Sequence, residues 1–289
     1  MGASHVVEAI KPQARPRPER FWAAEEGWVT MSEGEGVEGR IATEIRRAYE
    51  SGPTEPFAGR LGLSDVERAY RVQELNTRIW LREGRRIAGR KVGLTAKSVQ
   101  VQLGVDEPDF GILFADMQVR DGAKVEHRLL QPRIEGEIVL VMGADITDPD
   151  IGPEAFAAAV ARLHPALEIV DSRVAGWRIT IVDTVADNAS AGLFVLGESG
   201  VDPAGIDVTG CTMRMTADGR PVAEGKGAAC MGSPYNSGLW LARKMIEVGR
   251  PLLAGDIVLS GALAPMRDVE PGVRYEARID GIGSVSARF

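Results

Sequence analysis

Short apolar runs, broken by glycine, proline and aspartate, fill the chain after Gly89 and limit what it can fold into. Runs of this kind are typical of β-strands joined by tight turns. The 34 glycines of the chain fit many turns and close backbone approaches. Two helical segments, residues 153–163 and 235–248, interrupt the pattern. The sequence therefore predicts a β-rich body, with strands in the runs 133–142, 166–170, 193–196, 211–217, 256–260 and 273–287.

A helical portion precedes this body. Residues 38–50 repeat apolar side chains at helical spacing, and residues 64–84 do so behind a capping box formed by Ser64 and Glu67. The second helix is expected to end at Gly84. The first part of the chain is therefore predicted to contribute helices, and the rest to contribute strands.

The first thirty residues are expected to be a disordered extension. Residues 11–20 are rich in proline and arginine, a composition that does not form a packed core. Met31 begins Met-Ser-Glu-Gly-Glu-Gly, which looks like a second start. We therefore expect three parts: an extension (1–30), a helical N-terminal portion (31–88) and a β-rich catalytic domain (89–289). N-terminal sequencing of the native protein tests this division, because a start near residue 1 would contradict it.

The composition is typical of a globular protein and makes several function classes improbable. A formal net charge of −7 gives no reason to expect nucleic-acid binding. No apolar run approaches the 18 or so residues that a membrane span needs, so no membrane association is expected. The two cysteines, Cys211 and Cys230, form no CxxC motif. This argues against a disulfide framework or zinc site and favours a reducing cytoplasm.

Three glutamates lie inside apolar runs, where acids are seldom found. Glu135 and Glu137 belong to the run Arg-Ile-Glu-Gly-Glu-Ile-Val, and Glu168 belongs to Pro-Ala-Leu-Glu-Ile-Val-Asp. Residues i and i+2 of a strand point to the same face. Adjacent carboxylates, with a third in a neighbouring run, suggest a hard divalent cation such as Mg²⁺ or Mn²⁺. The alternative is a solvated strand face, or an ion pair with Arg133.

A set of motifs, in order and from about residue 38 to the last residue, resembles one known family. The motifs are Gly-Arg-Lys-Val-Gly-Leu-Thr (89–95), Leu-Gly-Val-Asp-Glu-Pro-Asp-Phe-Gly (103–111), Leu-Phe-Ala-Asp-Met (113–117), Gln-Pro-Arg-Ile-Glu-Gly-Glu (131–137), Ala-Leu-Glu-Ile-Val-Asp-Ser-Arg (166–173), Asp-Thr-Val-Ala-Asp-Asn-Ala-Ser (183–190), Ser-Gly-Ala-Leu-Ala-Pro-Met (260–266) and Gly-Ile-Gly-Ser-Val-Ser-Ala-Arg-Phe (281–289). Together they are similar to the 2-keto-4-pentenoate hydratases (2-hydroxypenta-2,4-dienoate hydratases) of the fumarylacetoacetate hydrolase superfamily.

The resemblance implies an α+β fold, with a mixed β-barrel or β-roll core of the fumarylacetoacetate hydrolase type and a helical N-terminal portion. It also implies a homo-oligomer that binds a small 2-oxo or 2-hydroxydienoate substrate. The metal is implied to be Mg²⁺ or Mn²⁺, held by Glu135, Glu137 and Glu168. Gly136 stands where alanine is more usual in the family, and the lost methyl should matter little for ligation.

Four further residues match positions with roles in the family. Lys91 and Asp109 are the implied proton-transfer groups, without an assignment of which performs which step. The alternatives are an exposed lysine and a turn-forming aspartate. Ser190 is implied to donate to the substrate carboxylate, and Ser260 to close the same pocket, while ordinary turn structure remains the alternative for Ser190.

The function implied by the resemblance is metal-dependent addition of water to a 2-hydroxy-2,4-dienoate, giving a 4-hydroxy-2-oxo acid, as in meta-cleavage catabolism of aromatic compounds. The alternative is a 4-oxalocrotonate (2-oxo-3-hexenedioate) decarboxylase with the same three-glutamate site. A fumarylacetoacetate-type C–C hydrolase is less favoured, since those enzymes use a His–Glu pair and no histidine lies between His5 and His127. A catalytically silent subunit in a complex with a partner enzyme of the same pathway is a further alternative.

Overall fold

The computed structural model describes residues 36–96, 100 and 105–289, so the expected extension at residues 1–30 lies outside the described part of the chain. The helices are α1 (Gly36–Ser51), α2 (Ala58–Leu61), α3 (Val66–Arg82), α4 (Pro153–Ala158), α5 (Ile181–Ala186) and α6 (Pro234–Glu247). The strands are β1 (Ile87–Gly93), β2 (Asp109–Phe114), β3 (Gln118–Arg120), β4 (Pro132–Met142), β5 (Val160–Asp171), β6 (Ala191–Leu196), β7 (Thr212–Ala217), β8 (Arg220–Lys226), β9 (Ile257–Leu259), β10 (Arg267–Asp268), β11 (Arg274–Ile279) and β12 (Gly283–Arg288).

The larger sheet mixes parallel and antiparallel pairs and curls into a half-barrel. Its strand order is β2-β1-β9-β4-β5-β6-β3, and the short β10 adds to β4. The long strands β4 and β5 pair antiparallel in its middle. Both are buried over most of their length, which explains why their sequences read as nearly continuous apolar runs.

A second, four-stranded sheet has the order β12-β11-β7-β8, and all of its strand pairs are antiparallel. It packs against the larger sheet at Gly136 of β4, where a Cβ would lie 2.9 Å from the Met213 sulfur. The Met213 side chain therefore fills the space that an alanine methyl at position 136 would take. The core between the sheets includes Ile138, Leu167 and Val285.

The N-terminal helices form their own apolar cluster with the body. Ile41 and Ile45 of α1 pack with Val72 of α3 and with Val182 and Val185 of α5. Helix α1, which was predicted from the helical spacing of apolar residues, is confirmed, and these apolar residues form its buried face. For α3, the structure corrects the predicted capping box.

The residue that caps α3 is Asp65, not Ser64. Its carboxylate accepts a hydrogen bond from the main-chain N–H of Arg68. The helix begins one residue later than the pattern of Ser64 and Glu67 suggested. Asp and Ser are nearly equal as N-caps, so two adjacent candidates cannot be ranked from sequence.

The predicted helix at 153–163 is too long by five residues. Helix α4 ends at Ala158, and β5 begins at Val160. Val160 and Leu163 instead pair with Met142 and Leu140 of β4. The alanine-rich sequence has high helix propensity, but the ladder to β4 overrides it. Among the described residues, no helix is both long and apolar enough to span a bilayer.

Candidate metal and proton-transfer site

The three glutamates meet because of the register between β4 and β5. Glu135 lies directly opposite Glu168 in the antiparallel pair, and Glu137 follows Glu135 on the same face. One carboxylate oxygen from each residue lies within 4.8 Å of the others. Glu137 and Glu168 are completely buried, whereas Glu135 is partly exposed. The arrangement leaves one side of an otherwise buried acidic cluster open.

Burial and mutual repulsion disfavour the ionised form of these three glutamates when no cation is bound. Burial, and then the charge of Glu168, raises the pKa of Glu135 to about 8. The pKa of Glu137 is raised well above its ordinary value by the same causes and by Glu135, although Lys91 and the Gly261 N–H oppose the rise. Three adjacent carboxylates therefore need positive charge to ionise together.

The donor set fits a hard divalent cation. Oε1 of Glu137 and both oxygens of Glu168 accept no hydrogen bond from the described residues, although they are buried. Buried carboxylate oxygens without donors are costly unless a cation is coordinated. All available ligand atoms are oxygens, which Mg²⁺ and Mn²⁺ prefer. Glu135, Glu137 and Glu168 could therefore hold such an ion.

The turn after β9 orients one of the three acids. The main-chain N–H of Gly261 donates to Oε2 of Glu137 over 2.8 Å. Gly261 has a φ of 108°, and a Cβ there would lie 2.4 Å from the Thr95 hydroxyl oxygen. Only glycine fits this backbone and this space, so the turn depends on it.

Lys91 of β1 is the cation that the structure places against the cluster. Its Nζ lies 3.1 Å from Oε1 of Glu168, an ion pair without good hydrogen-bond alignment, and it donates to the carbonyl of Ala189 over 3.0 Å. Burial alone would lower the pKa of Lys91, but the charges of Glu168 and Asp109 outweigh burial and raise it. The predicted alternative of an exposed lysine is wrong, since Lys91 is buried.

Asp109 begins β2 and faces Gly93 of β1 across the strand pair. Its side chain is buried, and neither carboxylate oxygen accepts a well-formed hydrogen bond from the part of the chain that the structure describes. Burial raises the pKa of Asp109 to about 6, although Lys91 opposes the rise. A carboxyl group with this pKa exchanges protons readily near neutral pH, as a general acid or base requires.

The two serines flank the residues that contact the charged groups. Ser190 follows Ala189, which accepts from Lys91, and Ser260 precedes Gly261, which donates to Glu137. Both serines are buried, and neither hydroxyl has a hydrogen-bond partner among the described residues. Free hydroxyls beside the charged groups are available to a ligand.

Sequence reasoning missed the buried ion pair between Arg173 and Asp187. Nε of Arg173 lies 2.6 Å from Oδ1 of Asp187, and both side chains are completely buried. Burial raises the pKa of Asp187 to about 6, and the Arg173 charge opposes that rise. The available signal was a charged Asp-Ser-Arg sequence directly after the apolar run that contains Glu168.

Comparison with known proteins places this chain in a family. A family model described as the C-terminal part of fumarylacetoacetate (FAA) hydrolase matches residues 86–289. A 2-keto-4-pentenoate hydratase 2 from Dechloromonas aromatica is 52% identical over 238 residues, which cover 82% of this chain and 91% of that protein. A 2-keto-4-pentenoate hydratase from Paraburkholderia xenovorans is 46% identical over 250 residues, covering 86% and 93% respectively.

Among solved structures, a 4-oxalocrotonate decarboxylase from Pseudomonas putida G7, complexed with magnesium and adipate, superposes with a TM-score of 0.83. It is 31% identical to this chain, and the match covers 88% of this chain and 97% of that one. The predicted core type and helical N-terminal portion are confirmed, and so is the resemblance on which they rested.

Proposed function

We propose that this chain, which belongs to the fumarylacetoacetate hydrolase family, is a hydratase that adds water to a 2-hydroxy-2,4-dienoate to give a 4-hydroxy-2-oxo acid. The observation that carries the proposal is the buried cluster of Glu135, Glu137 and Glu168 with Lys91 against it. Relatives that are about half identical over most of their length are named as 2-keto-4-pentenoate hydratases. We expect the same substrate class here.

The metal is proposed to be Mg²⁺ or Mn²⁺, held by Glu135, Glu137 and Glu168. A magnesium ion is present in the structurally similar decarboxylase. When bound, the ion supplies Lewis-acid stabilisation of negative charge on the carboxylate and C2 oxygen of the substrate. Within the chain, Lys91 and the Gly261 N–H keep the ligand carboxylates oriented.

The residues that move protons are proposed to be Lys91 and Asp109. A proton is delivered to C5 of the dienoate as the C2 enol oxygen loses one, giving the conjugated 2-oxo-3-enoate. Water then adds through its oxygen to C4, one of its protons is lost, and C3 takes up a proton. Asp109, with a pKa of about 6, can both give and accept protons near neutrality. Lys91, held protonated by its acidic neighbours, can donate a proton to the dienoate and stabilise developing negative charge.

Substrate binding is proposed to use the free hydroxyls of Ser190 and Ser260. Each is buried and lacks a partner among the residues described, so a substrate carboxylate or oxo group would satisfy it. The serines lie next to the residues that contact Lys91 and Glu137, respectively. Exchange of either serine for alanine should raise KM more than it lowers kcat.

The deciding experiment follows the ultraviolet absorbance of 2-hydroxypenta-2,4-dienoate with protein stripped of metal and then given Mg²⁺ or Mn²⁺. We expect metal-dependent loss of the dienoate and formation of 4-hydroxy-2-oxopentanoate, identified by NMR. Glu135→Gln should abolish turnover. Glu224→Gln, at an exposed position on β8, is the matched control and should retain it. A metal-loaded protein that binds Mn²⁺ but leaves the dienoate intact would contradict the proposal.

The second candidate is decarboxylation of 2-oxo-3-hexenedioate. The structural match to the Pseudomonas putida decarboxylase favours it, since the two folds superpose over most of both chains. Release of CO₂ from that substrate, without hydration of the pentadienoate, would select this reaction. A C–C hydrolase is less favoured, because His127 is exposed and His164 contacts the Gly197 carbonyl. Neither of these two described histidines contacts a site carboxylate in the bonds observed.

We further propose a cytoplasmic homo-oligomer that can associate with a partner enzyme of the same pathway. Cys211 and Cys230 are both buried free thiols, which is the usual state in a reducing compartment. Light scattering coupled to gel filtration tests the oligomer, and a single-chain mass would contradict it. If the chain were a silent subunit, the purified protein would bind Mn²⁺ but turn over no dienoate.

A further inference from the structure

Three consecutive non-glycine residues between α5 and β6 adopt left-handed backbone conformations. Asn188, Ala189 and Ser190 have φ values of 56°, 52° and 52°. L-residues disfavour this region because the Cβ approaches the carbonyl oxygen, and asparagine tolerates it better than alanine or serine. A run of three persists only where the surroundings fix it. We call residues 188–190 the left-handed turn.

The Asn188 side chain fixes one side of this turn to β2. Its Oδ1 accepts from the main-chain N–H of Ile112 over 2.7 Å, and its Nδ2 donates to the Ile112 carbonyl over 2.9 Å. The side-chain amide of Asn188 therefore forms hydrogen bonds to both main-chain groups of Ile112, as a neighbouring strand would. Strand β2 is at the end of the sheet and pairs with β1 on its other side. Asn188 thereby ties the turn to the strand that carries Asp109.

Arg173 fixes the two ends of the turn. Its Nη2 donates to the carbonyl of Asp187 over 2.7 Å, and its Nη1 donates to the carbonyl of Ala191 over 3.0 Å. Its Nε also pairs with the Asp187 carboxylate. One guanidinium thus contacts the residues directly before and after the turn. Arg173 itself follows β5, the strand of Glu168.

These contacts direct the main-chain carbonyl of Ala189 toward Lys91. The Ala189 oxygen, in the middle of the left-handed turn, accepts from Lys91 Nζ over 3.0 Å. The turn reaches this position because position 111 has no side chain. A Cβ on Gly111 would lie 2.5 Å from the main-chain oxygen of Asn188 and 3.1 Å from Cγ of Lys91. The ammonium is therefore held between a metal-cluster carboxylate and this carbonyl.

We propose that Asn188 is a positioning residue for catalysis, which sets Lys91 by holding the Ala189 carbonyl in the left-handed turn. The inference rests on the proposed function. Asn188 touches neither the three glutamates nor Lys91 in the bonds observed, so it acts through the main chain. An ammonium restrained by Glu168 alone can rotate about its long side chain. The Ala189 carbonyl accepts a hydrogen bond from the ammonium and so fixes the direction of its N–H groups.

The experiment compares Asn188→Ala and Asn188→Gly with Asn76→Ala. Asn76 is an equally buried asparagine on α3, whose amide oxygen accepts from Arg46, so its loss tests the general cost of removing such a side chain. For each metal-loaded variant, kcat and KM for 2-hydroxypenta-2,4-dienoate, Mn²⁺ affinity and a crystal structure are obtained. Asn188→Gly also removes the amide, and glycine adopts the left-handed backbone conformation without strain. This variant replaces Asn188→Ala in the comparison if the alanine variant does not fold.

We expect both Asn188 variants to lose kcat by about 10- to 100-fold, as displacement of a catalytic group by about 1 Å does. Their Mn²⁺ affinity should stay within about threefold of the parent. KM should rise by a smaller factor than that by which kcat falls, because Ser190 belongs to the same turn, and the crystal structures should lack the contact from Lys91 to Ala189. Asn76→Ala should retain kcat. Equal kcat losses at positions 188 and 76 would overturn the inference. It would also be overturned if weaker Mn²⁺ binding accounted for the loss of kcat, or if the contact from Lys91 to Ala189 were intact in the Asn188 variants.

A parent protein that does not hydrate the dienoate would contradict the proposed function instead. The crystal structures then decide the inference alone. Displacement of Lys91 in the Asn188 variants, but not in Asn76→Ala, supports the positioning role. A Lys91 ammonium that stays in place in all of them contradicts it.

Discussion

The electrostatic coupling between Lys91 and Asp109 gives a quantitative prediction. Oδ1 of Asp109 lies 2.1 Å from the position that a Cβ would take on Gly93, and Lys91 Nζ lies 3.6 Å from the same position. The two charges are therefore within about 6 Å of each other. At that distance and an effective dielectric constant near 20, they attract by about 3 kcal/mol. An energy of this size corresponds to about 2 pKa units.

Replacing the lysine by an uncharged side chain should release that attraction. In Lys91→Met, the ionised form of Asp109 loses its nearest cation, so the pKa of Asp109 should rise by about 2 from its present value of about 6. Lys91→Arg keeps a positive charge at the same position and should leave the pKa within about one unit. The sign follows from the charge, because removal of a neighbouring cation always favours the neutral acid.

The assay is a ¹³C NMR titration of labelled aspartate carboxyl carbons in metal-free protein, with the Asp109 signal assigned from Asp109→Asn. An ionisation of Asp109 should also appear on the acid side of the kcat/KM profile of the metal-loaded parent if ionised Asp109 acts as a base. An Asp109 pKa that is the same in the parent and in Lys91→Met would refute the reasoning, since it would mean that solvent or other groups already screen the lysine.

Three further outcomes are expected. In metal-free protein, the free energy of unfolding should fall between about pH 5 and pH 8, because folded Glu135 keeps a proton that the unfolded chain releases, and urea titrations of Glu135→Gln should show a flatter profile. Arg173→Met should lower the free energy of unfolding by about 3–5 kcal/mol, whereas Arg178→Met, from an exposed pair, should cost less than about 1 kcal/mol in the same measurement. Gly261→Ala should weaken Mn²⁺ binding in calorimetry by about 10-fold or more, because a methyl at φ 108° would collide with Thr95 and move the N–H away from Glu137; unchanged affinity would contradict this.

The identity of the acidic cluster could be predicted from the sequence because strand periodicity fixes which side chains share a face. Glu135 and Glu137 are two residues apart in a strand, and this required no knowledge of the fold. The sequence could not give the position of Glu168 relative to them. That depends on the register of β4 against β5, which sets Glu135 directly opposite Glu168. A shift of one residue would have turned the third acid away.

The left-handed turn could not be predicted for a different reason. Ala189 and Ser190 have no intrinsic preference for positive φ, and their sequence resembles an ordinary polar turn. The conformation is imposed by partners far away along the chain, Ile112 and Arg173. Local sequence signals describe what a segment favours on its own, and this segment adopts what its neighbours require.

The helical N-terminal portion supports the site, although the sequence alone suggested only that it precedes the catalytic domain. Gln73 of α3 donates to the carbonyls of Phe110 and Val185, so it joins the residue after Asp109 to α5. The Tyr49 ring of α1 lies 4.8 Å from the Arg173 guanidinium carbon, measured to the ring centroid. Arg173 in turn bonds to both ends of the left-handed turn. The helices therefore contact both structures that set Lys91 and Asp109, the turn and the start of β2. A charged, buried site that needs angstrom-level placement gains rigidity from this second layer of packing, in which α1, α3 and α5 share one apolar cluster.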